Sequence, residues 1–310
     1  MPPATRAAFF YHRPVNSDMT AENKTVSLVL GSGGARGLAH IGVIHWLEEN
    51  DYQIKSISGS SVGALIGGVY AAGQLDKFEA WVRSITRLDI VALLDLSWGK
   101  KGLVKGDKII DTLVDLVGDQ RIEDLPIRFT AVASEIEEEK EIWLTSGCLF
   151  DAIRASISLP LFFTPFDYKG TPLIDGGVLN PVPIAPTFGD DTDLTIAVNL
   201  GGEAVEEAPD REDDNYQRQE EESLLHNNIT RFIENLQKSI NNTGKNDWDV
   251  YDIAMQAFEA MQSTIARQKL AAYPPDLTIE IPRNVCRTLE FNRADEMIKL
   301  GYQQAESSGL

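Results

Sequence analysis

The chain has 310 residues, of which 43% are hydrophobic, enough apolar sequence for the core of one large α/β domain or two ordinary ones. Its formal net charge of −19 opposes binding to nucleic acid, and to anionic lipid surfaces by electrostatics alone. The only two cysteines are Cys148 and Cys286, which argues against a small disulfide-stapled domain and predicts two reduced thiols.

The first 24 residues are expected to form an N-terminal arm ahead of a domain at 25–310. Residues 1–23 lack the long apolar segment of a signal peptide. No stretch approaches the roughly 20 apolar residues of a membrane-spanning helix. We therefore expect a cytoplasmic protein that contacts a membrane, if at all, only at its periphery.

After the arm, the sequence predicts two strand–loop–helix units in succession. They comprise a buried strand at 25–30, a glycine-rich loop at 31–37, a helix at 38–50, a strand at 54–58 and a helix at 62–72. Gly73 is a suitable residue to end the second helix. Two such units within about fifty residues favour a parallel, doubly wound sheet.

The rest of the chain continues to alternate helices with strands. Helices are predicted at 78–86, 105–117, 150–156, 220–241, 250–271 and 293–305, and strands at 127–135, 141–144, 192–199 and 277–281. The region at about 201–247 is expected to be an acidic insertion, because residues 201–222 hold ten acidic side chains and two arginines.

Three short motifs, far apart in sequence, have the residue types of one acyl-transfer site. They are the glycine loop at 31–37, the pentapeptide GSSVG at 59–63 and the tripeptide DGG at 175–177. The pentapeptide has the spacing of a nucleophile elbow, in which Gly59 and Gly63 let the backbone pass and leave the Ser61 hydroxyl exposed.

A serine nucleophile needs a base, and Asp175 is the best candidate. It ends the short segment 171–174 and precedes Gly176 and Gly177, where the backbone can be approached closely. The alternative is a turn aspartate that caps its own loop, a common use of Asp-Gly.

The glycine loop is expected to supply the donors for the oxyanion. Successive amides at a helix N-terminus form an anion-binding concavity, and Gly33, Gly34 and Ala35 are the candidate donors. Gly31 and Gly37 support the loop, and Arg36 either braces it or meets an anionic head group.

Two other site types are disfavoured by the residues present. A dinucleotide fingerprint requires its third glycine at position 36, which is Arg36, and an acidic residue at the end of the second strand. An α/β-hydrolase triad requires a histidine after the acid, and only His226, within the acidic insertion, follows Asp175. His40 and His45 precede the serine and are interpreted as packing or surface residues.

The three motifs resemble those of the patatin-like phospholipases, specifically their bacterial single-domain members. A fourth segment, ASISLPLFFTP at 155–165, resembles the family's Ser-x-Ser-x-Pro segment. The resemblance covers residues 25–200 well and the C-terminal helices loosely.

This resemblance implies an α/β fold, a three-layer α/β/α sandwich with a mostly parallel central sheet. It implies that Ser61 is the nucleophile, that Asp175 completes a Ser–Asp dyad, and that the loop forms the oxyanion hole. No cofactor and no metal is expected. The chain would then be a serine lipid acyl hydrolase (a phospholipase, lysophospholipase or carboxylesterase) that forms an acyl-serine intermediate.

Two alternatives remain open, namely an acyltransferase with the same site and a non-catalytic interaction protein that retains the fold. The expected partner is a lipid or small ester substrate, and no nucleic acid. Contact with a membrane would use apolar surface, for which residues 93–98 and the helix at 220–241 are candidates. Core packing or a subunit contact is the alternative for each, and the sequence leaves the oligomeric state open.

Overall fold

The computed structural model describes residues 24–93, 104–206 and 250–310. Within these segments the chain forms one mixed sheet of eight strands. The strands are β1 (Thr25–Leu30), β2 (Gln53–Ser60), β3 (Arg128–Glu135), β4 (Lys140–Leu144), β5 (Phe166–Tyr168), β6 (Thr171–Asp175), β7 (Leu194–Gly202) and β8 (Leu277–Pro282).

Helices flank this sheet. They are α1 (Ala39–Glu49), α2 (Val62–Ala71), α3 (Leu75–Ser84), α4 (Arg87–Leu93), α5 (Asp107–Val117), α6 (Leu149–Ser156), α7 (Val250–Ala272) and α8 (Ala294–Glu306). Short 3₁₀ segments include Gly34–Leu38, which contains the second half of the glycine loop, and Gly176–Val178 after β6. In the described part of the chain, no helix combines the length and apolarity needed to cross a membrane.

The centre of the sheet is parallel. β1 lies between β2 and β7, β3 extends the sheet beyond β2, and β8 extends it beyond β7, all in parallel register. Five of the six residues of β1 are buried, as expected for a parallel strand covered on both faces. The predicted parallel units are confirmed.

The two faces of β1 pack into separate clusters, because successive side chains of a strand point to opposite sides. Val26, Leu28 and Leu30 join the large core formed with residues of α1, α2 and α8. Val29 packs on the other side with a smaller cluster that includes Ala266 of α7. The predicted three-layer α/β/α architecture is confirmed.

One edge of β3 serves two strands that meet end to end. β4 pairs with residues 131–135 on one edge, so β2 and β6 must both use the other edge. β2 pairs there in parallel and ends with Ser60 opposite Val132, and antiparallel β6 ends with Asp175 opposite Ala133. The carboxyl ends of β2 and β6 therefore face each other one residue apart along β3.

Most predicted elements are present with bounds shifted by a few residues. α5 begins at Asp107, because Gly106 adopts a left-handed conformation with φ of 77°. β7 extends to Gly202, into the region expected to be an insertion. α4 and β5 were not predicted. The arm, the helix at 220–241, the remainder of the insertion and most of the apolar stretch at 93–98 lie outside the described residues.

Helix α8 packs directly on α1, the helix that follows the glycine loop. A Cβ atom added to Gly301 would lie 1.9 Å from the carbonyl oxygen of Ala39, and one added to Gly42 would lie 1.9 Å from that of Ile298. The two backbones are thus in contact through glycines, and no larger side chain fits between them.

We expect Gly301→Ala to lower the free energy of unfolding by about 1–3 kcal/mol, the usual cost of overpacking. This cost exceeds the helix-propensity gain of up to about 1 kcal/mol. Urea denaturation followed by circular dichroism measures it. Gly189→Ala is the control, because nothing lies within 4 Å of an added Cβ there. Equal stability of the two variants would contradict the close helix contact.

Candidate active site

Ser61 lies on a strained turn between β2 and α2. Its φ and ψ are 56° and −126°, a conformation that costs energy for a residue with a side chain. A Cβ atom on Gly59 would lie 2.4 Å from the carbonyl oxygen of Gly63, and one on Gly63 would lie 2.1 Å from that of Leu30. Both glycines are therefore required for the turn, as the GSSVG motif predicts.

A buried serine fixes this turn. The Ser61 amide donates to Ser156 Oγ at 2.9 Å, and that hydroxyl donates to the Val132 carbonyl at 2.6 Å. Ser156 is fully buried at the end of α6. No role was expected for Ser156 from the sequence, although it is the first serine of the Ser-x-Ser-x-Pro segment. It links the elbow to β3.

Asp175 lies beside Ser61 as the strand geometry requires. Ser61 Oγ donates to Asp175 Oδ2 at 2.5 Å, and the Gly177 amide donates to Oδ1 at 2.7 Å. The Asp175 amide donates to the Ser158 carbonyl at 3.0 Å. The two interpretations of this aspartate are thus compatible, since one oxygen caps its own turn and the other accepts from the serine.

The surroundings of Asp175 change its acidity. Its side chain is fully buried, and burial raises its pKa to about 7, although the hydrogen bonds from Ser61 and Gly177 favour the ionised form. A carboxylate with a pKa near neutrality can accept a proton and return it at physiological pH. The site thus holds a group suited to general base and acid chemistry.

The glycine loop leaves two consecutive amides available. The Gly31 amide donates to the Val198 carbonyl, and the Ala35 amide donates to the Thr288 carbonyl at 2.9 Å. Those of Gly33 and Gly34 meet no acceptor among the described residues. Ala35 is consequently the weakest of the three expected donors, because its N–H is already engaged.

Arg36 braces the loop from beneath. It is buried, and its guanidinium donates to the carbonyls of Arg283 and Cys286 at 3.1 and 3.2 Å. A weaker ion pair joins it to Glu259 at 3.6 Å. Of the two roles considered for Arg36, these contacts favour the bracing one.

The histidines of the described segments are both engaged away from the dyad. His40 Nε2 lies 2.9 Å from the Gly31 carbonyl oxygen, and burial lowers its pKa to about 4, so it is neutral and helps to hold the loop. His45 lies 2.5 Å from Glu79. Neither contacts Ser61 or Asp175. His12 and His226 lie outside the described residues.

An apolar pocket opens beside Ser61. Its empty volume, including the mouth, is about 890 Å³. The walls come from the elbow, α3, α5 and the segments 157–163 and 288–291, and they include Leu65, Phe78, Trp81, Val82, Ile109, Leu113, Ile157, Phe163 and Phe291. Gly34 and Ser61 both line this pocket, so it adjoins the elbow and the glycine loop.

Comparison with known proteins identifies the family. The model of the patatin-like phospholipase family matches residues 28–188, a range that contains all three motifs. An uncharacterised NTE family protein of Mycobacterium tuberculosis is 38% identical over an alignment that covers 89% of each chain. The chain belongs to the patatin-like phospholipase family.

More distant relatives share only part of their length with this family member. The lysophospholipases NTE1 of Yarrowia lipolytica and Saccharomyces cerevisiae are 33% and 32% identical over 57% of this chain, which is 13% and 11% of their own length. The crystal structure of VipD from Legionella pneumophila is similar with a TM-score of 0.44 and 16% identity, over 92% of this chain and 66% of VipD. That likeness is too remote to bear on the site.

We expect Asp175→Asn to be more stable than the wild type at pH 8 by about 2–4 kcal/mol. Because the pKa of Asp175 is higher in the folded protein, its protonated form stabilises the fold. This stabilisation is fully present below the unfolded-state pKa of 3.8 and is lost as the pH rises through the folded-state pKa of about 7. Asparagine cannot ionise, so the difference should shrink towards pH 4. Urea denaturation at pH 4, 6 and 8 measures it.

The control is Asp124→Asn at an exposed carboxylate, which should change stability little at any of these pH values. A wild type more stable than Asp175→Asn at pH 8 would show that the buried carboxylate is not destabilised by its surroundings.

Proposed function

We propose that this chain is a serine hydrolase that cleaves the carboxylic ester of a lipid through a Ser61–Asp175 dyad. The observation that carries the proposal is the 2.5 Å hydrogen bond from Ser61 Oγ to Asp175 Oδ2, next to a pocket lined mainly by aliphatic and aromatic side chains. Membership of the patatin-like phospholipase family and the names of the NTE1 lysophospholipases support the same class of substrate.

In the first half-reaction Ser61 Oγ attacks the ester carbonyl while Asp175 takes its proton. The carbonyl oxygen becomes an oxyanion, which accepts hydrogen bonds from the amides of Gly33 and Gly34. Losing one such donor typically costs about 3 kcal/mol of transition-state stabilisation. The C–O bond to the alcohol then breaks, and Asp175 gives its proton to the departing oxygen. The acyl group remains on Ser61.

In the second half-reaction water attacks the acyl-serine carbonyl while Asp175 accepts a proton from it. The same amides stabilise the second oxyanion. When the bond to Ser61 Oγ breaks, Asp175 returns the proton to the serine and the fatty acid leaves. The carboxylate thus exchanges one proton in each step, for which a pKa of about 7 is well matched. Neither half-reaction draws on a metal or cofactor.

We expect Ser61→Ala to abolish both ester hydrolysis and labelling by a fluorophosphonate probe, because the covalent bond forms on Ser61 Oγ. Asp175→Asn should lower both rates at least about thousandfold, since the serine then has no base. Gel fluorescence and the release of p-nitrophenol from an acyl ester measure the two readouts.

Ser58→Ala is the control, because this serine lies in β2, the strand that leads into the elbow, and its buried hydroxyl has no partner among the described residues. It should retain labelling and hydrolysis. Undiminished activity in Ser61→Ala would refute the dyad.

We expect Ile109→Trp to shorten the acyl chains that the enzyme accepts. Ile109 lines the pocket from α5, and a larger ring there would displace several methylene groups, each worth about 0.8 kcal/mol when buried. The specificity constant for a palmitoyl ester should fall at least about tenfold, and that for an acetyl ester should stay within about twofold. Asp115→Trp, at an exposed position of the same helix, should change neither. Equal losses on both esters in Ile109→Trp would place the acyl chain elsewhere.

A further inference from the structure

A second, polar cleft adjoins the apolar pocket. Its empty volume, including its open mouth, is about 2330 Å³. It lies between α7 and the segment 283–293, and five arginines and two glutamates line it. The charged residues are Arg36, Arg267, Arg283, Arg287, Arg293, Glu259 and Glu290. In a chain with a net charge of −19, this concentration of positive charge is a local exception.

The cleft and the apolar pocket share a wall at the glycine loop. Leu159, Thr288 and Leu289 line both cavities. The Thr288 carbonyl accepts the Ala35 amide at 2.9 Å, so this wall touches the oxyanion loop itself. The arginine cleft is therefore a direct neighbour of the pocket that Ser61 lines.

The two glutamates of the cleft already have partners. Glu259 accepts a hydrogen bond from Thr288 Oγ1 at 2.6 Å and lies 3.6 Å from Arg36. Glu290 lies 3.2 Å from the Arg293 guanidinium and also accepts the Arg287 amide. These two acids are thus tied to the walls.

Three further arginines line the cleft. Arg267, Arg283 and Arg287 are exposed, and none forms an ion pair with a carboxylate of the described residues. Arg267 contacts Thr264 Oγ1 at 3.1 Å, and Arg283 contacts the Gly202 carbonyl at 3.4 Å. Arg283 is thus partly occupied with backbone, which leaves Arg267 and Arg287 as the principal candidates for an anion.

We propose that Arg267 and Arg287 bind the phosphate of the substrate's head group, so that the enzyme prefers acyl esters of glycerophosphate to neutral acyl esters. This inference rests on the proposed function and deepens it. Guanidinium groups bind phosphate oxygens through paired, charge-assisted hydrogen bonds. In a lysophospholipid the phosphate is separated from the ester by the glycerol backbone alone, which suits two cavities that share one wall.

Both residues lie outside the segment 28–188 that the family model matches. The dyad and the oxyanion loop lie inside it. Ester cleavage would thus be carried out by the part of the chain that the family model matches. The choice of head group would be made by residues of α7 and the segment 283–293.

The test compares 1-lauroyl-lysophosphatidate with 1-lauroylglycerol below their critical micelle concentrations, because these two esters differ only in the phosphate. Arg267→Gln and Arg287→Gln should each lower kcat/KM for the lysophosphatidate about tenfold. They should leave kcat/KM for 1-lauroylglycerol within about twofold, since the dyad and the acyl pocket are unchanged. Equal losses on both esters, or gains on both, would overturn the proposal.

Lys55→Gln is the control, because it removes the same charge from an exposed side chain of β2 that has no ion pair among the described residues. If this control variant lost as much kcat/KM for lysophosphatidate as Arg287→Gln, the effect would come from the protein's overall charge. The proposed phosphate subsite would then be overturned. Ser61→Ala tests the proposed function separately, since it should abolish turnover of both esters and leave lysophosphatidate binding intact.

A binding measurement makes the subsite testable without turnover. Calorimetry on the Ser61→Ala protein should detect lysophosphatidate, and adding Arg287→Gln should weaken that binding about tenfold. Inorganic phosphate and glycerol 3-phosphate should bind at the same arginines but much more weakly, because they lack the acyl chain. If inorganic phosphate bound as tightly as lysophosphatidate, the cleft would be a site for the free anion and the proposal would fail.

Discussion

The site depends on one edge of one strand. β3 pairs with β2 and with β6 along the same edge, from opposite directions, and the two strands end one residue apart. Ser61 and Asp175, separated by more than a hundred positions in sequence, are brought together by this junction of main-chain hydrogen bonds. Because the ladder is rigid, their 2.5 Å contact does not rely on flexible side chains finding each other.

The same junction buries the carboxylate of Asp175. This burial lowers the stability of the fold and raises the basicity of the carboxylate. Removing Asp175 from water makes its charged form costly, which weakens the folded state at neutral pH. It also raises the pKa of Asp175 to about 7, the range that the proposed general base needs at neutral pH. Burial would thus supply the proposed Ser61–Asp175 dyad with the basicity that a triad obtains from a histidine, at the expense of stability.

Features that depend on local sequence patterns could be predicted from the sequence. Apolar runs and glycine positions gave the parallel strands and their helices, and the GSSVG spacing gave the elbow at Ser61. The sequence was insufficient for long-range pairing, because nothing near Asp175 indicates that β6 runs antiparallel beside β3. Two contacts of single side chains were also missed. Ser156 joins Ser61 to Val132, both far from it in sequence, and His40, interpreted as a packing or surface residue, binds the Gly31 carbonyl. The engagement of the Ala35 amide by Thr288 is a third case.

The braces of the oxyanion loop come from residues that follow all of the motifs. Arg36 is held by carbonyls of Arg283 and Cys286, Ala35 by that of Thr288, and the helix behind the loop by α8. A ribosome makes these residues after the three motifs. A nascent chain that already carries the serine, the aspartate and the glycines therefore still lacks the supports that shape the loop. The loop can take its final shape only after residues 283–306 have been synthesised and have packed behind it.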